Sequence, residues 1–363
     1  MNGVNDDLRR HYERYPYPRY PFLASVRPFD TYALNLDALH ACFNGALPSS
    51  HARRILLAGC GSFSPYPTSV ANPGVPITAL DLSAANLRRA RLHCLLHGRA
   101  GITFERGDIL NPASASGEYG FIDSFGVIHH LADPLEGLRA LERRLAPGGI
   151  LRLMVYSRGA RRGAESIRKA LRLLGIGDVA GVKRLMGRAP AGSRFRQYVD
   201  ASDEAAFDAG IADAFLHPRA RTYRIDDFMA LVGETGLTSL MFTHAGALLP
   251  LPEEVARLRT LERDGEETPN FILYLGRQPR GGCGLSSDAR LMLNPALRKA
   301  VSPFRLAPVV IPPRLGRPNP RLGFAEKRFL RRFGTPVSVA SLTPDERERA
   351  RPFVDALFLV AFR

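Results

Sequence analysis

Five short apolar runs between residues 54 and 157 alternate with helical stretches, and this alternation constrains the fold more than any other property of the chain. "RILLAG" (54–59), "PITALDLS" (76–83), "ITFERGD" (102–108), "YGFIDSFGV" (119–127) and "ILRLMVYS" (150–157) read as strands. Between them, "AANLRRARLHCLLHG" reads as a helix with Ser83 as N-cap and Gly98 at its close. Leu87, Ala90, Leu92, Leu95 and Leu96 give that helix an apolar side. "PLEGLRALERRLAPGG" (134–149) reads as an amphipathic helix ending at Pro-Gly-Gly. Strands separated by helices of this length imply an α/β fold, a doubly wound parallel sheet with helices on both faces. Such sheets bind ligands beyond the carboxyl ends of their strands, where the strand order reverses.

Candidate site residues fall at that rim. Gly59-Cys60-Gly61 ends the first strand and lets backbone approach a ligand closely. Asp81 ends the second strand, twenty residues after Gly61, where a carboxylate can hold two ribose hydroxyls. Asp108 ends the third strand, and "SFGVIHH" places Phe125, Gly126, His129 and His130 at the end of the fourth. Each has a bland reading: a Gly-x-Gly turn is common, and Asp81 could merely cap the next helix. Their recurrence in register on successive strands favours a shared adenosine site. The glycine loop also departs from the usual spacing, with Phe63 in place of a third glycine and Pro65 and Pro67 following. Phe63 cannot take glycine's conformations without strain, whereas both prolines suit the first turn of a helix. A delayed helix start is therefore expected, with Phe63 turned into the interior or onto the ligand.

Outside this region the chain is less regular. Pro16, Pro18 and Pro21 make residues 8–24 an irregular aromatic segment, and 31–44 reads as helical. Residues 158–215 read as helices and loops, "YRIDDFMALVGETGL" as helix-turn-strand, and "FILYLGR" (271–277) as a strand returning to the sheet. Proline and arginine dominate from Pro279 until a small helical unit at the C-terminus. The expected division is an N-terminal strap or lid (1–30), a main domain (31–278, with a helical insertion at about 158–220) and a C-terminal unit (279–363).

The net charge of +15 is regional. Residues 152–196 carry 12 basic and 2 acidic side chains, and 281–363 carry 15 and 6, so the remainder sums to −4. A solvated helix face is the default for the arginines at 158–172, and docking of an acidic partner is the alternative. Nucleic acid is thus a partner to consider but not the favoured one. No apolar run suits a membrane span, no signal-peptide pattern opens the chain, and four scattered cysteines show no metal spacing. A cytoplasmic setting is expected.

Residues 51–157 resemble a class I S-adenosylmethionine-dependent methyltransferase: "FGVIHHLADP" is similar to a common form of the fourth motif, and "LAPGGILRLMVYS" to the Pro-Gly-Gly before the fifth strand. "YERYPYPRYPF" resembles the "YPYPRW" element of a bacterial subfamily, as "MVYSRGARRG" and "FLHPRARTY" resemble its later segments. The resemblance implies a Rossmann-like, mostly parallel seven-stranded sheet and S-adenosyl-L-methionine as cofactor. It places Gly59, Cys60 and Gly61 on the methionine and ribose, Asp81 with Leu82 on the ribose hydroxyls, Asp108 with Ile109 at the adenine, and Phe125 with Gly126 on the methionine side; Phe63, where the loop departs from the family, is counted with the cofactor-binding residues.

Methyl transfer needs alignment at about 3 Å and exclusion of water, plus a base if the acceptor is protonated. His129 is the favoured candidate for the cleft, followed by His130 and Tyr17, while Tyr12, Tyr17 and Arg19 from the leading segment would line the acceptor pocket. Gly126-x-x-His129-His130 lacks the carboxylates that Mg²⁺ favours, so no metal is expected; His217 and His244 are expected to be structural. The expected activity is methylation of a small-molecule or peptide acceptor. The alternatives are a non-catalytic scaffold or sensor that binds the cofactor, or an RNA methyltransferase gripping through the basic C-terminal region.

Overall fold

The computed structural model describes residues 2–363, with side chains from Asp6 onward; Met1, the first residue of the expected strap, lies outside the described residues. In chain order the elements are α1 (Asn2–Arg14), α2 (Leu36–Asn44), β1 (Ile55–Ala58), α3 (Pro65–Ala71), β2 (Ile77–Asp81), α4 (Ala84–Leu96), β3 (Ile102–Arg106), β4 (Tyr119–Phe125), α5 (Pro134–Arg144) and β5 (Leu145–Val155). An inserted helical layer follows with α6 (Arg158–Leu173), α7 (Val179–Arg188), α8 (Arg194–Ala201) and α9 (Asp208–Ile211), then α10 (Ile225–Gly233), β6 (Thr238–Phe242), α11 (Leu251–Arg263) and β7 (Phe271–Gly276). The chain ends with β8 (Arg290–Leu293), α12 (Phe324–Arg331), β9 (Val337–Ser338), α13 (Pro344–Asp355) and β10 (Leu359–Phe362).

The main sheet has seven strands in the order β3-β2-β1-β4-β5-β7-β6. Neighbours from β3 to β5 pair in parallel, while β7 runs antiparallel between β5 and β6. Strand order reverses between β1 and β4, so the ligand crevice opens beyond Ala58 and Phe125. The central strands are buried on both faces; β1, "ILLA", is buried at every position, as a run without alternation requires.

Three local expectations are corrected. Residues 8–14 are helical, because α1 reaches Arg14 before the first proline at 16 and the prolines act only as its terminator. On α4, Leu92, Leu95 and Leu96 are exposed, and the buried side holds Asn86, Leu87, Ala90, His93 and Cys94. Polar contacts set that rotation: Asn86 Nδ2 donates to Asp81, and a ring nitrogen of His93 lies 3.0 Å from the Ala24 carbonyl. Finally, α5 stops at Arg144 and Pro-Gly-Gly lies within β5, whose pairing with β4 is irregular between Tyr119 and Phe121. Buried Arg144 donates to the carbonyls of Ala140, Asn111 and Ser114 and so anchors the junction.

The C-terminal unit is not purely helical. β8, β9 and β10 form an antiparallel three-stranded sheet, with α12 and α13 beside it. It shares a continuous core with the segment that precedes β1, where Phe29, Tyr32 and Leu36 join Leu291, Leu330 and Phe358. Asn294 Nδ2 ties the two by donating to the carbonyls of Tyr32 (3.1 Å) and Leu357 (2.8 Å). No helix among the described residues is long and apolar enough to cross a membrane.

Candidate active site

The glycine turn after β1 is held by backbone from the sheet on one side and the strap on the other. The amides of Gly59 and Cys60 donate to the Leu80 carbonyl, and the Gly61 amide donates to Asp81 Oδ2 at 2.8 Å. Gly59 and Gly61 take φ of +78° and +57°, where a side chain is strained. Space enforces the same choice. A Cβ on Gly59 would come within 2.5 Å of Val127, and one on Gly61 within 2.8 Å of the Tyr17 carbonyl.

Phe63 follows the departure read in the sequence. α3 starts at Pro65, with proline in its first turn. The Phe63 ring packs on Tyr20 (4.3 Å between centroids), His93 and Tyr66. It therefore does not line the crevice, which corrects its assignment to the cofactor.

Asp81, Leu82, Asp108, Ile109, Phe125 and Gly126 do line the crevice, together with Gly59, Cys60 and Gly61, in a cavity of about 310 Å³. Asp81 is 8% exposed and accepts from Gly61 N, Ser83 N and Asn86 Nδ2. Burial raises its pKa, and the Ser83 and Gly61 amides oppose that rise. Two carboxylate oxygens offer about four acceptor directions, and three are taken, so capacity remains for a ribose hydroxyl. The mixture of apolar wall, glycine cradle and buried acceptor fits an adenosine-bearing cofactor.

The strap closes this cavity from above. Ser62 N donates to the Tyr17 carbonyl (3.1 Å), Ser62 Oγ to the Pro18 carbonyl, and Tyr17 N to Asn86 Oδ1 (3.0 Å). The Glu13 carboxylate accepts from Ala84 N and Ala85 N at the start of α4, satisfying amides that have no partner within the helix. Tyr12 and Tyr17 line the cavity. Arg19 is exposed and does not line it, which corrects its assignment to the acceptor pocket.

The deep end of the cavity is polar. Asp213, 4% exposed, stands on a π-helical turn (Ala212–Leu216) of the insertion, a geometry frequent at functional sites. Its Oδ1 accepts from Tyr12 OH at 3.0 Å and its Oδ2 from Tyr156 OH at 3.4 Å. Burial, and then the Glu204 carboxylate, push its pKa up to about 6. Glu204 is paired with Arg161 at 2.8 Å and lies 3.5 Å from Tyr17 OH, and Arg161 sits 3.7 Å over the Tyr156 ring. No spacing along the chain pointed to Asp213 or Glu204, which come from the insertion. Tyr156 follows directly on β5, so its rim position was open to inference.

The histidines divide differently from expectation. His130 lines the cavity, and its Nδ1 lies 2.7 Å from the Arg219 carbonyl, so that nitrogen donates and Nε2 is left as an acceptor. Burial lowers its pKa to about 3. His129, the favoured candidate, is fully buried behind it, its ring tilted at 33° and 3.9 Å from that of Tyr156, with no partner for either ring nitrogen among the described residues. It does not line the cavity, because the short helix Ile128–His130 turns it inward.

His11, Asp213 and His217 bring one potential ligand atom each within 4.8 Å of one another. His217 Nδ1 accepts the Arg219 amide, however, so its Nε2 carries the ring proton and has no lone pair for a cation. Arg168, which donates to the His217 carbonyl, adds positive charge beside the group. Arg161 and Arg168 turn inward onto Glu204 and the His217 carbonyl, which removes them from the solvated basic face read at 158–172.

Comparison with known proteins agrees with this geometry. A family model described as a methyltransferase domain matches residues 56–153. An uncharacterized protein of Synechococcus sp. is 31% identical over 304 residues, covering 77% of this chain and 73% of its own length. A ubiquinone biosynthesis O-methyltransferase of Paracidovorax citrulli is 25% identical over 192 residues, 52% of this chain and 75% of the relative. Among solved structures, PKMT2 from Rickettsia typhi, also determined with AdoHcy, superposes with a TM-score of 0.54 at 14% identity, covering 96% of this chain and 77% of that one; at that identity the likeness shows the fold. The chain belongs to one family with the Synechococcus protein, and it is an S-adenosylmethionine-dependent methyltransferase built on the class I fold.

Proposed function

We propose that the methyl acceptor, a small molecule or part of a peptide, enters the polar end of the cavity between Tyr12, Tyr17, Tyr156 and Asp213, and that Asp213 takes its proton. When bound, S-adenosylmethionine supplies an electrophilic methyl group on a sulfonium. Gly59, Gly61, Asp81, Leu82, Asp108, Ile109, Phe125 and Gly126 would hold it.

One observation carries this reading. Asp213 is a buried carboxylate at the cavity wall with no ion pair of its own among the described residues, steadied only by two tyrosine hydroxyls. A group that titrates near 6 is deprotonated at neutral pH yet still basic enough to receive a proton, the balance general-base catalysis needs. The same burial keeps the Tyr12 and Tyr17 hydroxyls protonated. They orient Asp213 and the Glu204–Arg161 pair rather than compete for the proton. The strap excludes water from both ends and makes residues 1–30 a working part of the site. Residues 31–278 supply the catalytic domain and 279–363 an accessory unit.

The test is S-adenosylhomocysteine release against a panel of phenols, amines, carboxylic acids and short peptides. With an acceptor in hand, the Asp213→Asn variant should lose at least about a hundredfold in kcat while binding S-adenosylhomocysteine as the wild type does. The wild-type rate should rise with pH to a plateau above about 6. An Asp213→Asn variant that retains turnover would overturn the assignment.

A further inference from the structure

A second, larger cavity of about 660 Å³ lies on the other side of Phe125, whose ring forms part of the wall of both. Four parts of the chain enclose it: Val26, Asp30 and Thr31 from the strap and the turn after it, Phe63 and Pro67 around the start of α3, Arg152, Thr243 and Ile272 from the sheet rim, and residues 313–318 of the C-terminal unit.

The charges around it do not cancel. Arg152 is neutralised by Asp123 at 2.7 Å, Asp30 by Arg27 at 2.8 Å, and His244 meets Glu254 at 2.7 Å. Arg314 and Arg317 remain. Neither has an ion pair among the described residues; Arg314 Nε donates to the Asp30 carbonyl at 3.3 Å, and Arg317 Nε is buried with no hydrogen-bond partner at all. The positive charge of these two guanidinium groups at the cavity wall is therefore uncompensated, and an anionic ligand is the group that would balance it.

The loop that carries these arginines is held in shape before any ligand arrives. Arg314 N donates to Tyr32 OH (2.9 Å), which in turn donates to Asn319 Oδ1 (3.1 Å). Asn319 Nδ2 donates to the carbonyls of Ile311 and Pro312, and Gly246 N donates to the Gly316 carbonyl (2.9 Å). At Gly316, with φ of +78°, a Cβ would come within 2.4 Å of the His244 carbonyl, so the loop lies against the end of β6 as closely as backbone permits. Such pre-organisation lowers the cost of binding.

We infer that this second cavity is a binding site for a small anionic molecule, one bearing a phosphate or a carboxylate held in the fork of Arg314 and Arg317. Guanidinium groups bind either oxyanion in bidentate geometry, while Phe125 and Ile272 offer apolar wall for the rest of the ligand. The inference assigns a role to the Pro/Arg-rich segment that follows the catalytic domain. It does not depend on Asp213 acting as base, nor on the identity of the acceptor.

The experiment is calorimetric titration of the full chain, with the cofactor site saturated by S-adenosylhomocysteine. Inorganic phosphate and pyrophosphate form one arm, succinate the other, and the arm that binds identifies the anion class. At least one probe should bind, and its affinity should fall tenfold or more in Arg314→Ala/Arg317→Ala while S-adenosylhomocysteine affinity stays within twofold. If the double variant does not fold, Arg317→Lys serves instead, keeping the charge but losing the fork, and should weaken the probe severalfold. Absence of binding by all three probes, equal binding by the variants, or loss of probe binding when S-adenosylhomocysteine is present would each overturn the inference.

Discussion

The carbonyl oxygen of Tyr17 occupies the space that a side chain on Gly61 would need: a Cβ there would approach it to 2.8 Å. The second glycine of the loop therefore serves the strap as much as the cofactor. Gly61→Ala combines that clash with a left-handed backbone, which alone costs an L-residue about 1–2 kcal/mol. S-adenosylhomocysteine affinity should fall at least about tenfold, measured by calorimetry, because the turn and the strap cannot both keep their positions. Unchanged affinity would show that the contact is slack.

Deletion of residues 1–24 removes the same contact from the other side, together with the Glu13 cap on α4. A folded core with strongly weakened cofactor binding is the expected result, checked by circular dichroism and calorimetry on one preparation. Wild-type affinity in the truncated protein would reduce the strap to packing.

Asp81→Ala strips the acceptor from Gly61 N, Ser83 N and Asn86 Nδ2 at once. Each buried donor left without a partner costs about 1–3 kcal/mol, so both melting temperature and S-adenosylhomocysteine affinity should drop. Asp81→Asn keeps one acceptor oxygen and should fall between the two. An alanine variant that binds normally would place the ribose elsewhere.

Asp213 links function to stability. Its folded pKa of about 6 lies above the ordinary value of 3.8, so the folded state holds the proton more tightly than the unfolded chain. Stability therefore declines as pH rises from about 4 to about 6, and above 6 the loss is complete, of order 3 kcal/mol. Asp213→Asn carries no such penalty. It should melt higher than wild type at pH 7.5 and by a smaller margin at pH 4.5. A pH-independent difference would mean that Asp213 is not held near 6.

His129→Phe tests the histidine that faces away from the cavity. The ring is uncharged, since burial pushes its pKa well below the usual range, and neither nitrogen has a partner among the described residues. A ring without polar atoms should stack on Tyr156 with stability unchanged or raised by about 1 kcal/mol and with cofactor affinity unchanged. A large loss of turnover with intact binding would return His129 to the chemistry.

The order of strands and helices was legible in the sequence because β1, β2, β4 and β5 carry apolar runs bounded by turn residues and are largely buried, while the edge strand β3 is marked by its place between turns rather than by burial. Gly59, Gly61, Asp81 and Asp108 were legible for a related reason: topology places the ends of neighbouring parallel strands at one rim, so position along the chain implies position in space. The strap's hold on the glycine loop, the inward turn of His129 and the exposure of Leu92, Leu95 and Leu96 were not. Each depends on hydrogen bonds and packing between segments far apart in the chain. Asp213, brought beside Tyr12 across 201 residues, and Arg317, brought to the rim of the sheet by the C-terminal unit, have no local signal at all. Periodicity and turn chemistry were enough to define the sheet and the rim of the cofactor site. The side chains that close over that rim are set by loop and insertion geometry, which follows from non-local contacts that no spacing records.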